Sequence, residues 1–484
     1  MSLIKKALLI YPPTGFYMRD DRCQAPVEGM TAQPARSPLD LAYMAATLEK
    51  DGIRCKIKDY PAEHQGWSNL ERDLAEFYPD MLVISITTPT MSADLATCEI
   101  ARRINRDIVV VSKGAHYLAK DEEVLNSYRD LDIIIRGESE FAVAEIATTD
   151  DLANVSGISY RKNSRIVRTP DRPFLDDLDK LPFPARHLLN NNLYLTPDTK
   201  EPITLIYSGR GCPYQCVFCA VPSVSGHKIK LRSPGSIVQE LEECVEKYNI
   251  KNFFFRADTF TWDEKWVIEI CKLIIERKIH IRWGTNSRAD TISRKRLEWM
   301  KKAGCWIIGF GIESGDQKSL DLMKKNAKLE DADTSIMLCK EYGIKTYTLF
   351  LIGLPWDNRE TIKKTIKFAR HLDGDYIDIN IAYPLPGTEM FEMAKKENLF
   401  NETNIYGYDY SKPLIKTRYL STEELVSMRK WALLSFYLRP YYIIKTIASI
   451  RSPKVLFNYI KAGLQLLCKT FSVQSNVADL REQV

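Results

Sequence analysis

A chain of 484 residues is too long for one ordinary core, so two main domains and an extension are expected. Its hydrophobic and charged fractions, 45% and 27%, match folded globular chains and exclude a disordered or low-complexity protein. The net charge of +5, from 68 basic and 63 acidic residues, is small for this size and gives no electrostatic reason for a nucleic-acid partner.

The first apolar run, ALLIY, is too short for a signal segment and meets Pro12 and Pro13, so it reads as a strand. No window approaches the roughly 20 apolar residues of a membrane-spanning helix. Eleven scattered cysteines suit a reducing compartment, and a cytoplasmic location is expected. Between 4 and 147, strands at 4–11, 55–59, 81–86, 108–111 and 133–135 alternate with helices at 38–51, near 69–78, at 91–105 and from 141. This order predicts an α/β, doubly wound, Rossmann-like domain over 1–148. Ligands bind beyond the carboxyl ends of such strands. Those ends carry Pro13 and Thr14, then Thr88 and Thr90, then Gly114 and His116, and last Gly137 and Glu138. They are small, turn-forming and polar, which suits a large ligand lying along one edge.

Residues 149–196 form a packed linker, with a hairpin over 157–169 followed by the Pro-rich, acidic RPFLDDLDKLPFPA. Over 197–400 the alternation restarts, with strands at 203–208, 251–256, 279–285, 305–312, 345–352 and 376–383. Six βα units in that length predict an open, partial (β/α)6 barrel of TIM type, with its chemistry at the carboxyl ends of the strands. A helical extension covers 401–484, with a capped start at 421–425. Its segment 428–471 holds eight Lys or Arg, no acidic residue and eight aromatics. Such helices either cover the open edge of the barrel or make peripheral membrane contact through anionic headgroups.

After the first barrel strand comes SGRGCPYQCVFCA, which sets Cys212, Cys216 and Cys219 in one compact loop. Three thiolates can hold a four-iron cluster and leave one iron open, as a catalytic centre requires. A zinc site completed by a remote side chain is the structural alternative. Cys244, Cys271 and Cys339 fall in helical apolar patterns and read as core, whereas Cys305 and Cys468 lack cluster spacing.

The CxxxCxΦC pattern, with Phe218 before the last cysteine, resembles the radical S-adenosylmethionine signature. The resemblance implies one [4Fe-4S] cluster whose open iron chelates S-adenosylmethionine. An electron from an external flavodoxin- or ferredoxin-type donor then releases a 5′-deoxyadenosyl radical. Along the strand ends it implies S-adenosylmethionine contacts from Phe218, Asp258, Asn286, Arg288, Glu313, Ser314 and Gly353. Asp258 would face the amino end, Arg288 the carboxylate and Glu313 with Ser314 the ribose, while the segment holding Gly353 would face adenine.

A doubly wound domain ahead of such a barrel, together with GESE and the linker, is similar to the cobalamin-binding branch of that family. The branch implies cobalamin held by Pro13, Thr14, Thr88, Thr90, Gly114, His116, Gly137 and Glu138. The DxHxxG motif is absent, and a GxGxxG fingerprint is absent too. His116 therefore reads as a phosphate or amide contact rather than a cobalt ligand. The expected reaction is methylation of an unactivated carbon on a small-molecule or lipid-like substrate, with cyclisation or oxidation as the alternative. An electron-relay or sensor protein is the alternative of another class. Methylthiolation of transfer RNA would need three more cluster cysteines, and Cys23, Cys55 and Cys98 are isolated from one another.

Overall fold

The computed structural model describes residues 4–19, 36–163, 165–400, 413–450 and 452–471. Cys23 lies outside them, as do the side chains of 465–471. In the first sheet β1 (Lys6–Tyr11), β2 (Arg54–Asp59), β3 (Met81–Ser85), β4 (Val109–Lys113) and β5 (Ile133–Ile135) run parallel in the order β2-β1-β3-β4-β5. Between and after them lie α1 (Leu39–Lys50), α2 (Trp67–Phe77), α3 (Met91–Ile104), α4 (Tyr117–Ser127) and α5 (Glu140–Thr148). The central strands are apolar throughout because helices cover both faces. Leu9, Val83, Val111 and Ile133 pack with α1 and α5. Their neighbours Leu8, Leu82, Val110 and Ile134 pack with α2, α3 and α4. The order reverses between β1 and β3, which opens a crevice at the carboxyl ends of those strands.

The hairpin expected within the linker instead continues this sheet. Strands β6 (Ile158–Lys162) and β7 (Arg165–Arg168) add antiparallel to β5. Three isoleucines alone would leave β5 with an unpaired edge, and Arg136 fixes the pairing by donating to the carbonyls of Ile158 and Thr169 at 3.2 and 2.5 Å.

The second sheet contains β8 (Ile203–Tyr207), which leads to a short ribbon of β9 (Gly209–Arg210) and β10 (Lys230–Leu231). It continues through β11 (Asn252–Arg256), β12 (Arg282–Ser287), β13 (Cys305–Glu313), β14 (Lys345–Ile352) and β15 (Tyr376–Ile381). Six strands, β8-β11-β12-β13-β14-β15, are parallel in chain order, and the ends do not meet, giving the expected partial barrel. The outer helices are α6 (Val221–Ser225), α7 (Pro234–Tyr248), α8 (Glu264–Glu276), α9 (Arg294–Lys302), α10 (Gln317–Leu322), α11 (Leu329–Glu341), α12 (Arg359–Leu372) and α13 (Glu389–Lys396). Ser233, Asp263, Ser293, Asp316, Asn358 and Thr388 cap six of them by accepting from backbone amides of the first turn. Strand β12 starts three residues after the expected 279, because Ile279 closes the turn that ends α8 and pairing begins with Asn252 opposite Arg282.

An open barrel must hide two strand edges. On β8, Arg186 donates to the Leu205 carbonyl at 2.8 Å, and Tyr43 of the first domain stacks on Tyr207 with centroids 5.4 Å apart. On β15, the C-terminal helices α14 (Thr422–Tyr437), α15 (Pro440–Ser449) and α16 (Pro453–Phe471) take over. The Tyr437 hydroxyl accepts from the Ile377 amide at 3.0 Å and donates to its carbonyl at 2.7 Å, and Arg429 donates to the Ile379 carbonyl at 2.7 Å. Ser421 and Glu424 form the expected capping box at the start of α14. Between the inner barrel wall and these helices lies a largely apolar cavity of about 450 Å³.

Candidate active site

The cysteine loop leaves β9 and is fixed to three other parts of the barrel. The Cys212 amide donates to Gly226, the Val217 amide to Met323 after α10, and the Met390 amide of α13 to Val217, at 3.2, 3.0 and 2.9 Å. Gly211 sits at φ +92°, where a Cβ would collide with the Lys228 carbonyl, so only glycine fits there. Cys212, Cys216 and Cys219 are free and partly exposed, and the Cys219 amide donates to Cys216 at 3.0 Å. Burial pushes the Cys219 thiol up to about 11 and also raises Cys216, against the pull of Lys325. Cys212 and Cys216 both lie within electrostatic reach of Cys219, so the loop presents its three thiols together. Three thiols on a tight loop fit a larger cluster.

The strand ends supply a polar rim. Asp258, after β11, accepts from the Gly211 amide at 2.7 Å, so it holds the root of the cysteine loop. Beside it Thr259 Oγ1 is buried with no hydrogen-bond partner among the described residues, and an orphaned hydroxyl at this rim suits a polar ligand. Arg288 grips Asp290 through Nε and Nη2 at 2.9 and 2.8 Å and lies 3.5 Å over the Tyr214 ring, so its fork is already engaged. Glu313 ends β13 at φ +69°, a costly conformation for a side chain of this size. Its carboxylate accepts from Lys325 Nζ at 3.0 Å. Burial disfavours the Lys325 ammonium, but Glu313 and then Cys216 outweigh that and raise its pKa.

Sequence reasoning missed Lys325, which follows α10 in the plain surface pattern MKKNAK. Ser314 turns away, bonded to Thr365 and to the Asp316 amide, both at 3.1 Å. Phe218 packs with Leu354 and Trp356, next to the Gly353 turn that Asp357 braces from 2.9 Å. Asn286 lines the apolar cavity, two residues before Arg288, and so joins that cavity to the rim.

In the first domain the expected contacts all lie at the carboxyl edge of the sheet. Thr14 and Thr90 commit their hydroxyls to buried Asp94, which also holds Arg19 at 2.8 Å. Pro13 is half-buried and Thr88 buried. Gly114 lets β4 approach Ile86 where a Cβ would clash. His116 is 2% exposed, and burial lowers its imidazole to about 4, so it is neutral. Gly114 and His116 thus follow β4, one strand beyond the switch crevice, and Gly114 packs on Ile86 of the protein itself. Gly137, at φ +86°, turns the chain into Glu138.

Glu138 reaches the barrel. Arg210, two residues before Cys212, donates to Glu138 at 2.8 Å and also to Glu140. All three side chains are about nine-tenths buried. One rim of the first domain is thereby bolted to the root of the cysteine loop.

Comparison with known proteins agrees with this geometry. A radical SAM superfamily model matches residues 206–369, and a B12 binding domain model matches 31–147. The chain is 32% identical over 448 residues to an uncharacterized methyltransferase of Pyrococcus horikoshii, covering 92% of this chain and 95% of the relative. It is 28% identical to the anaerobic magnesium-protoporphyrin IX monomethyl ester cyclase of Rubrivivax gelatinosus, over 80% of this chain and 71% of that enzyme. The structure of the radical S-adenosylmethionine methyltransferase TsrM from Kitasatospora setae, with cobalamin and a [4Fe-4S] cluster bound, superposes with a TM-score of 0.65 at 18% identity. That match covers 81% of this chain and 78% of TsrM, and shows a common fold. The chain belongs to the cobalamin-binding branch of the radical SAM superfamily, and as such is an enzyme whose cofactors are a [4Fe-4S] cluster, S-adenosylmethionine and cobalamin.

Proposed function

We propose that this enzyme methylates an unactivated carbon of a hydrophobic, lipid-like small molecule, drawing electrons from an external flavodoxin- or ferredoxin-type donor. The carrying observation is the Arg210 bolt, which sets one rim of the cobalamin domain beside the root of the cysteine loop. When bound, the cluster supplies the electron that splits S-adenosylmethionine into an adenosyl radical, and cobalamin supplies the methyl group.

The protein's own work is positioning and exclusion of water. Cys212, Cys216 and Cys219 would ligate the cluster, with Asp258 and Gly211 fixing the loop that carries them. Glu313, oriented by Lys325, would accept from the ribose hydroxyls. Because Asp290 already holds Arg288, Lys325 is the better placed cation for the carboxylate of S-adenosylmethionine. Phe218 and the Gly353–Leu354 turn would pack on adenine. Pro13, Thr88, Gly114, His116 and Gly137 would line the corrinoid crevice, with Thr14 and Thr90 bracing it through Asp94. The apolar cavity beyond Asn286 would receive the substrate.

The test is anaerobic reconstitution, with iron, sulfide and corrinoid measured, followed by reduction with S-adenosylmethionine. Methyl transfer requires S-adenosylhomocysteine to form. Product appearing with 5′-deoxyadenosine alone would refute it and favour cyclisation or oxidation, the reading to which the cyclase relative lends weight.

A further inference from the structure

The cavity is not sealed inside the protein. Leu438, Ile443 and Ile447 beside and on α15, with Ile460 and Leu464 on α16, line it and are also 41–57% exposed. The same side chains therefore form both the wall of an apolar chamber and part of the outer surface. Around them Tyr441, Ile444 and Phe457, which do not line the chamber, are 65–67% exposed. Contiguous apolar exposure of this extent marks an interaction surface.

The charge on these helices is one-sided. Arg439 and Lys445 are held by Asp373 of the barrel at 3.0 and 2.8 Å. Lys454 and Lys461 of α16 are exposed, and 428–471 contains no acidic residue. No helix among the described residues is long and apolar enough to cross a membrane. Apolar side chains of α15 and α16 next to the exposed lysines of α16 are complementary to the headgroup and acyl boundary of an anionic bilayer. At the far end the chamber reaches Asn286 and Gly309 on the inner wall, next to the catalytic rim.

We propose that the α15–α16 face docks on an anionic lipid bilayer, and that the chamber opening through it admits the hydrocarbon chain of a membrane lipid toward the rim. The docking surface stands by itself. The lipid as substrate rests on the methyl-transfer reading above.

The test uses the full reconstituted chain in flotation assays with phosphatidylcholine vesicles, with and without phosphatidylglycerol. Binding to the anionic vesicles is expected. It should be lost in Ile444→Asp/Phe457→Asp, whose positions lie outside the chamber. Lys454→Gln/Lys461→Gln should weaken it about thirtyfold, about fivefold per lysine near an anionic surface. No vesicle binding by the unaltered chain would overturn the proposal. So would self-association without vesicles that the same apolar variants abolish, since a second copy would then be the occupant.

The opening is read separately with a fluorescent fatty acid. Gly463 lines the chamber, is exposed, and has nothing within 4 Å of an added Cβ. Gly463→Phe should therefore keep vesicle binding and iron content yet bind the fatty acid at least about tenfold more weakly, as a blocked mouth demands. Ile447→Trp narrows the facing helix as a second variant. Unchanged fatty-acid affinity in both would overturn the opening. Formation of S-adenosylhomocysteine, followed in the same preparations, reports on methyl transfer whether or not the surface binds lipid.

Discussion

Replacing Arg210 by methionine tests the bolt between the two domains. Each charge pair, with centres about 4 Å apart at an effective dielectric of about 20, is worth about 4 kcal/mol before desolvation is subtracted. Removing one partner of a buried cluster typically costs about 3–5 kcal/mol, because the remaining charges stay buried and unpaired. For a cooperative unit of 484 residues that corresponds to a fall in melting temperature of roughly 3–5 °C. The pH dependence is the sharper signature. In the native protein burial opposes the Glu140 charge, but Arg210 outweighs it and the carboxyl is held below its ordinary value. Its stabilisation is present above the unfolded carboxyl pKa and is lost as pH falls through the depressed one. In Arg210→Met, buried Glu140 keeps Lys113 among its cations, but loses the guanidinium that outweighs its burial. The Glu140 carboxyl, no longer held down by Arg210, should rise, so the variant loses stability as pH climbs. Thermal unfolding of the cofactor-free chain should show the largest deficit near pH 8 and a smaller one near pH 6. The triple variant Arg210→Met/Glu138→Gln/Glu140→Gln should recover much of it. A deficit below about 1 kcal/mol at pH 8, or one independent of pH, would refute the reasoning.

Asp258→Ala should lower the iron bound on reconstitution, whereas Asp258→Asn keeps an acceptor for the Gly211 amide and should bind iron normally. Lys325→Met should leave iron content unchanged but weaken S-adenosylmethionine about tenfold or more, since a charged hydrogen bond of about 1.5–3 kcal/mol is removed. Titrating the electron paramagnetic resonance spectrum of the reduced cluster with S-adenosylmethionine measures this. Tyr437→Phe strips the β15 edge of a partner for both the amide and the carbonyl of Ile377. It should cost about 1–3 kcal/mol in thermal unfolding while sparing cofactor content.

The strands and the cysteine loop were legible because both are local signals. Apolar runs between turns place β1–β5 and the six barrel strands to within a few residues, and a three-thiol spacing needs no tertiary context. What was hidden depends on which way side chains turn and on contacts distant in sequence. Arg288, read as a carboxylate grip, closes on Asp290 two residues away. Thr14, Thr90 and Ser314 spend their hydroxyls inward. Lys325 meets Glu313 because the bulge that ends β13 bends the carboxylate back toward the chain beyond α10, a geometry that no residue pattern encodes. Arg210 and Glu138 are 72 residues apart, and each looked like an ordinary loop residue beside a motif.

A sheet that stops at six strands leaves two raw edges, and the way each is covered assigns the lumen its uses. The β8 edge is closed by Tyr43, Arg186 and the linker, so the first domain is held where the cysteine loop begins. Arg186 is itself held by buried Glu240, which also binds Arg232 at the foot of the ribbon. One buried carboxylate therefore ties the linker to the residue that follows the ribbon. The β15 edge is closed by α14, whose Leu433 and Phe436 join the core that holds Ile377 and Ile379 and whose Tyr437 bonds the strand, with the apolar chamber left behind α15 and α16. A closed eight-stranded barrel would fill that space with its own side chains. Stopping at six strands, with the missing wall supplied by helices, leaves an apolar space beside the rim, where the proposed substrate would lie.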